Sequence, residues 1–170
     1  PGIVDRINWE LDRFGIPPHR LGIEVLETVF TGSPDGTVAN TIRALQRMGC
    51  YIELDDFGTG HSCLGALSAM SVDRVKIDRS YVARLDRDDG RRRMIAAMLS
   101  LAEQLSLDTV AEGVETVGEH ALLAQLGCAH VQGFGIARPM PVHKLGPWLA
   151  AHEDRIATAR ALTPRAGRLD

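Results

Sequence analysis

Two adjacent carboxylates, Asp55 and Asp56, close the run CYIELDD and open directly into FGTG. Holding two carboxylates together at the end of an apolar strand costs free energy unless a cation neutralises them. A divalent-metal site meets that requirement. A solvent-facing turn is the other reading, because Asp and Gly both supply turn geometry. Further polar residues recur at comparable places: Glu24 and Glu27 in one apolar run, Lys76 and Asp78 at the end of another, Glu112 and Glu115 after a third, Gln132 after a fourth. Singly, each has a structural explanation, such as a satisfied strand glutamate, a surface lysine or a turn glutamine before Gly133. Their recurrence in successive units is what the single explanations do not cover.

The elements that carry them alternate. Apolar residues at Ile3, Ile7, Leu11 and Phe14 have helical spacing that stops at Gly15 and Pro17-Pro18. Leu21 to Glu27 reads as a strand, Val38 to Met48 as a helix ended by Gly49, and Cys50 to Asp55 as a second strand. Val72 to Ile77 is a third strand, Met94 to Leu105 a helix and Leu107 to Ala111 a fourth strand. His120 to Leu126 lies in a helix and Ala129 to Val131 is a fifth, short strand. Strands separated by helices predict a parallel sheet with helical crossovers, and short apolar strands suit burial on both faces. In such a sheet the carboxyl ends share one face, where catalytic side chains converge.

Composition narrows the function classes. The chain has 170 residues, 45% of them apolar, and a net charge of -3. It can bury a core, and it has no basic footprint for duplex nucleic acid. Three cysteines without C-x-x-C spacing, Cys50, Cys63 and Cys128, argue against a disulfide framework and a zinc site and fit a reducing cytoplasm. No apolar run approaches the roughly 20 residues of a membrane span, and PGIVDRINWE lacks the regions of a signal peptide. A cytoplasmic location is expected, within a parent that can itself be membrane-anchored. Residues 84–93 mix charges and read as a solvated connection into a capped helix. His61, His130 and His143 lack helical metal spacing and read as non-ligands. The segment from Ala157 reads as a polar tail that frays, leaving residues 1–156 as the domain.

Five segments together resemble the EAL domain of bacterial cyclic di-GMP phosphodiesterases: IEVLE at 23–27, DDFGTGHSCL at 55–64, VDRVKIDRSYV at 72–82, AEGVET at 111–116 and QGFGIARPMP at 132–141. Departures are small, with His61, Cys63, Met70-Ser71 and Ala129 standing where Tyr, Ser, Phe-Pro and Asp are usual. The resemblance implies a TIM-like (β/α)8 barrel, of which this chain supplies about five strand-helix units. The family's Glu-x-Leu strand and Asn-containing strand do not occur here, so the chain is expected to be a piece of a longer domain. Unpaired edge strands would then favour self-association or weak stability.

The resemblance also assigns roles. Glu24, Asp55, Asp56 and Glu112 resemble ligands of two Mg2+ or Mn2+ ions, with Asp55 shared between them. Lys76, Glu112 and Gln132 resemble catalytic residues: Lys76 holds or polarises the nucleophilic water and offsets charge, and Glu112 resembles a carboxylate implicated as metal ligand or general base. Glu27 resembles the anchor of the loop after Asp56, and Glu115 a supporting residue. Arg138 has two readings, a contact to a ligand phosphate or a structural salt bridge. The implied partners are cyclic di-GMP, a second copy joined through the Phe57 to Leu67 loop, and sensor or GGDEF domains in the same polypeptide. A degenerate member that binds the dinucleotide or a protein without turnover is the other function class.

Overall fold

The structure is a computed structural model that describes residues 2–26, 36–59 and 72–162. The candidate Glu27, His61, Cys63 and most of the loop following Asp56 lie outside the described residues. Two compact units divide after Ile136.

In the first unit, helix α1 (Ile3–Phe14) leads through a short 3-10 turn into β1 (Gly22–Leu26). Helix α2 (Thr37–Met48) precedes β2 (Tyr51–Phe57); β3 (Arg74–Ile77) runs into the one-turn helix α3 (Arg79–Val82). Helix α4 (Asp89–Gln104), β4 (Asp108–Ala111), α5 (Val117–Gln125) and β5 (His130–Val131) follow. The five strands form one parallel sheet in chain order. A doubly wound sheet reverses direction at a switch point; this one never does. Every crossover therefore steps the same way, which keeps the helices on one face and gives an arc of a β/α barrel.

Local chemistry fixes the helix ends. Asp88 caps α4 by accepting from Gly90 N at 2.8 Å and Arg91 N at 3.1 Å. Thr116 and Glu119 form a reciprocal capping box at α5. The buried Glu119 also accepts from Arg84 N and Glu115 N, which ties the segment after β4 to the connection before α4.

One face of the sheet is apolar. Leu54, Phe57, Val75, Ile77 and Ala111 pack against Ile95, Met98, Leu99 and Leu123 of the helices. A second cluster joins Val25 and Ile52 to Leu11 of α1 and Ile42 and Leu45 of α2. The other face carries Glu24, Glu53, Asp55, Arg74, Lys76 and Asp108, because alternate residues of a strand point to opposite sides.

Strand β2 departs from its expected end at Asp55. Pairing with β3 matches Leu54 to Val75 and Phe57 to Ile77, so Asp55 and Asp56 together stand opposite Lys76. This is a β-bulge, and Asp56 takes the left-handed conformation at φ 55°. The extra residue explains why the buried positions run Ile52, Leu54 and then Phe57.

The second unit contains α6 (Val142–Leu162), in which Trp148 and His152 stack at 4.8 Å. The helix continues past Ala157, where the sequence suggests a polar tail. Its Ala, Arg and Leu residues are strong helix formers, and polarity alone does not end a helix. Among the described residues no helix is long and apolar enough to cross a membrane.

Candidate active site

The site is built around a buried lysine. Lys76, 5% exposed, projects from β3 on the polar face. Its ammonium donates to Glu24 Oε1 of β1 at 2.7 Å, and lies 2.8 Å from Glu112 Oε1 and 3.0 Å from Asp55 Oδ1. Carboxylates from three segments thus converge on one nitrogen. Burial acts to discharge Lys76, but its hydrogen bonds to Glu112 and Glu24, with the negative charge of Asp55 beside it, outweigh this and hold the amine above its ordinary range. Lys76 is a fixed positive charge, not a proton shuttle.

Asp56 belongs to the same neighbourhood. Burial first, then the negative charges of Asp55 and Asp78, push its carboxyl above the usual carboxylate range against the opposing pull of Lys76. In a regular strand, Asp56 would point away from Asp55. The bulge re-aims it into a cavity of about 620 Å³ whose lining includes Asp56, Asp78, Arg79, Glu112, Glu115 and Gln132.

Backbone contacts place the far wall. Gln132 N donates to Ala111 O at 2.9 Å and Gln132 O accepts from Val114 N at 3.0 Å, which holds the amide residue beside Glu112. Gly133 makes this approach possible, since a Cβ there would lie 2.2 Å from Val114 O.

Of the sequence candidates, the structure brings Glu24, Asp55, Lys76 and Glu112 into direct contact and puts Asp56, Glu112, Glu115 and Gln132 on one cavity. Arg138 belongs to the second compact unit, and Glu27 lies outside the described residues. A larger groove on α1, about 670 Å³ and lined by Ile3, Ile7, Phe14, Ile16 and Leu21 among others, holds none of the candidates.

Two features were missed by sequence reasoning. Asp78, noted only as a strand end, caps α3 by accepting from Ser80 N at 2.9 Å and lines the cavity. Burial raises its carboxyl, but the hydrogen bonds from Ser80 and Arg79 overcome this and hold it below the ordinary range. The Asp-x-Ser spacing after a strand was the available signal. The second is a charged row toward the amino ends of the strands. Arg74 donates to Glu53 Oε1 at 3.1 Å and to Asp108 Oδ2 from both Nε (3.0 Å) and Nη2 (2.7 Å), and lies over the Tyr51 ring. His130 Nε2 is 3.0 Å from the same Asp108 oxygen. Glu53, Arg74 and His130 each stand two residues before Asp55, Lys76 and Gln132, the alternation that would have revealed them.

The donor set fits a hard divalent cation. All four candidate ligands are carboxylates. Asp55 Oδ1 is buried with no hydrogen-bond donor aligned on it, although Lys76 lies opposite. As the side chains lie, no group of three or more acidic, histidine or cysteine residues among the described residues frames a metal ion, because the carboxylates close on Lys76 instead.

The EAL domain family model matches residues 1–139. The bifunctional diguanylate cyclase/cyclic di-GMP phosphodiesterase MucR of Pseudomonas aeruginosa is 37% identical over 85% of this chain and 21% of its own length. The solved EAL domain of Mycobacterium smegmatis DcpA superposes with a TM-score of 0.80 at 34% identity, over 88% of this chain and 66% of that one. Klebsiella pneumoniae BlrP1, solved with manganese and cyclic di-GMP, gives a TM-score of 0.72 at 32% identity, over 79% of this chain and 35% of that one. The chain spans between 17% and 35% of the length of the curated relatives it matches. The five motifs, the parallel strand order and these matches agree, and the chain belongs to the EAL domain family.

Proposed function

We propose that this domain is a metal-dependent phosphodiesterase that hydrolyses cyclic di-GMP to linear pGpG. The observation that carries the reading is the convergence of Glu24, Asp55 and Glu112 on Lys76, with Asp56 and Gln132 on the adjoining cavity. The acids outnumber the base, and the deficit of positive charge suits Mg2+ or Mn2+ held by Glu24, Asp55, Asp56 and Glu112. When bound, a pair of such ions supplies Lewis acidity at the phosphodiester and a water of lowered pKa. The manganese and cyclic di-GMP complex of Klebsiella pneumoniae BlrP1 supports the same assignment.

The chain's own residues do the rest. Lys76, charged throughout the neutral range, keeps the carboxylates together and offsets negative charge that develops at phosphorus. Glu112 borders both the lysine and the cavity, which supports its reading as the group that accepts a proton from the attacking water. Gln132 offers a neutral donor and acceptor to the cavity, and Glu115 also lines it. Arg138 as a phosphate contact, Glu27 as loop anchor, a homodimer through the loop after Asp56, a cytoplasmic location, and sensor or GGDEF domains elsewhere in the polypeptide complete the reading.

A second reading has one observation in its favour. The carboxylates engaged with Lys76 frame no metal ion among the described residues, as in a module that binds the dinucleotide without cleaving it. Assay of cyclic di-GMP hydrolysis with Mg2+ or Mn2+, for wild type and Asp55→Ala, separates the two. Turnover by wild type alone is expected. Dinucleotide binding with no turnover by either protein supports the module, and equal measurable rates in both exclude Asp55 from the chemistry.

A further inference from the structure

The conformation of Asp56 depends on the turn that follows it. A non-glycine residue in the left-handed region is uncommon even for Asp, and persists where neighbouring contacts hold it. Three contacts do so here. Thr59 donates to Asp56 O from its backbone N at 3.2 Å and from Oγ1 at 2.9 Å. Tyr81, on α3, donates its hydroxyl to Gly58 O at 2.5 Å.

The tyrosine ring reinforces the hydrogen bond. Gly58 has φ 97°, and a Cβ on it would come within 2.4 Å of Met98 Cε and 3.1 Å of the Tyr81 ring. Tyr81 is itself fixed, because its N donates to Asp78 O at 3.1 Å and its ring packs against the main apolar cluster. The hydroxyl therefore links the carboxyl end of β3 to the turn after β2. If that turn relaxed to extended backbone, strand alternation would carry the Asp56 carboxylate to the face opposite Asp55.

We propose that Tyr81 is a positioning residue: its hydroxyl, through Gly58, keeps Asp56 in the bulged conformation that turns this carboxylate toward the cation site. The inference rests on the metal-dependent reading of the site, and it assigns Tyr81 no contact with metal or substrate.

The test is Mn2+ binding without substrate, followed by the electron paramagnetic resonance signal of free Mn2+ or by calorimetry. Wild type, Tyr81→Phe, Asp56→Asn and the double variant are compared, with thermal melts to fix a temperature at which all are folded. Tyr81→Phe removes one hydroxyl and leaves the ring, so Mn2+ binding about three- to tenfold weaker than wild type is expected, the size of one hydrogen bond. In the Asp56→Asn background the same change is expected to have no further effect, because the residue it acts through is already gone. Unchanged binding by Tyr81→Phe, or an equal loss in both backgrounds, would overturn the positioning role while leaving the metal reading intact. Failure of wild type to take up Mn2+ would overturn both.

Discussion

Two charged groups occupy the same face of the same sheet, two residues apart along β2 and β3, and they are balanced differently. Toward the amino ends, Glu53 and Asp108 flank Arg74, with His130 on the outer side of Asp108. Toward the carboxyl ends, Glu24, Asp55 and Glu112 crowd one lysine, and Asp56 lies beside them with its carboxyl raised by burial and by Asp55. The first group comes closer to closing on itself: the donors of Arg74 serve both acids, and His130 adds a further partner to Asp108. The second has more negative charge than it can satisfy internally. Charge imbalance in a partly buried cluster marks a place awaiting a ligand, whereas balance marks one that holds strands in register.

The largest expected effect follows from removing the one base of the unbalanced group. Lys76→Met leaves three carboxylates facing one another and should lower the unfolding free energy by about 3 kcal/mol without divalent cation. Urea titrations should show part of that loss recovered in excess Mn2+, while hydrolysis of cyclic di-GMP is abolished. Arg74→Met in the balanced group should cost about 2 kcal/mol, the scale of hydrogen bonds to charged groups, yet retain most of the activity of folded protein. If it instead abolished turnover while folded at the assay temperature, the division into a structural and a functional layer would fail.

Asp56→Asn should do the opposite to stability. It removes a charge repelled by Asp55 and Asp78 and puts Asn, well tolerated at positive φ, in the strained position. A stabilisation of about 1 kcal/mol in metal-free buffer is expected from the Coulomb term, together with weakened Mn2+ binding. Destabilisation of the folded, metal-free protein would mean that the acidic excess is more apparent than real.

The smallest effect is in the pH dependence. Burial raises the Asp108 carboxyl, but the hydrogen bonds from Arg74 and Thr109 and the charges of His130 and Arg74 win, so it titrates below its ordinary value. A depressed carboxyl contributes stability that is present above its unfolded pKa, near ~3.9, and is lost as pH falls through the folded value. The melting temperatures of wild type and Asp108→Asn should therefore differ at pH 6 and converge as the pH falls below about 4. A difference that stayed constant down the acid limb would detach Asp108 from that linkage.

Much of the site is legible in the sequence. The strand-helix alternation located five strands, and the polar residues at their ends included Glu24, Asp55, Lys76, Glu112 and Gln132, which the structure places at one cluster and its adjoining cavity. The balanced row was not read, although Glu53 and Arg74 stand two positions before Asp55 and Lys76. Each of its members has a bland reading alone, and their pairing requires strands distant in sequence. His130, read as a non-ligand, turns out to pair with Asp108.

The amino-acid sequence by itself determined the kind of chemistry and the order of the elements, because helical and strand periodicity and residue type are local properties. Only the tertiary structure decided that Asp55 and Asp56 stand opposite the single residue Lys76, and that Glu24 reaches the same lysine across an intervening strand. The physical reason is register. A bulge of one residue and the stagger between parallel strands set which side chains meet, and both are settled by packing between segments far apart in the chain.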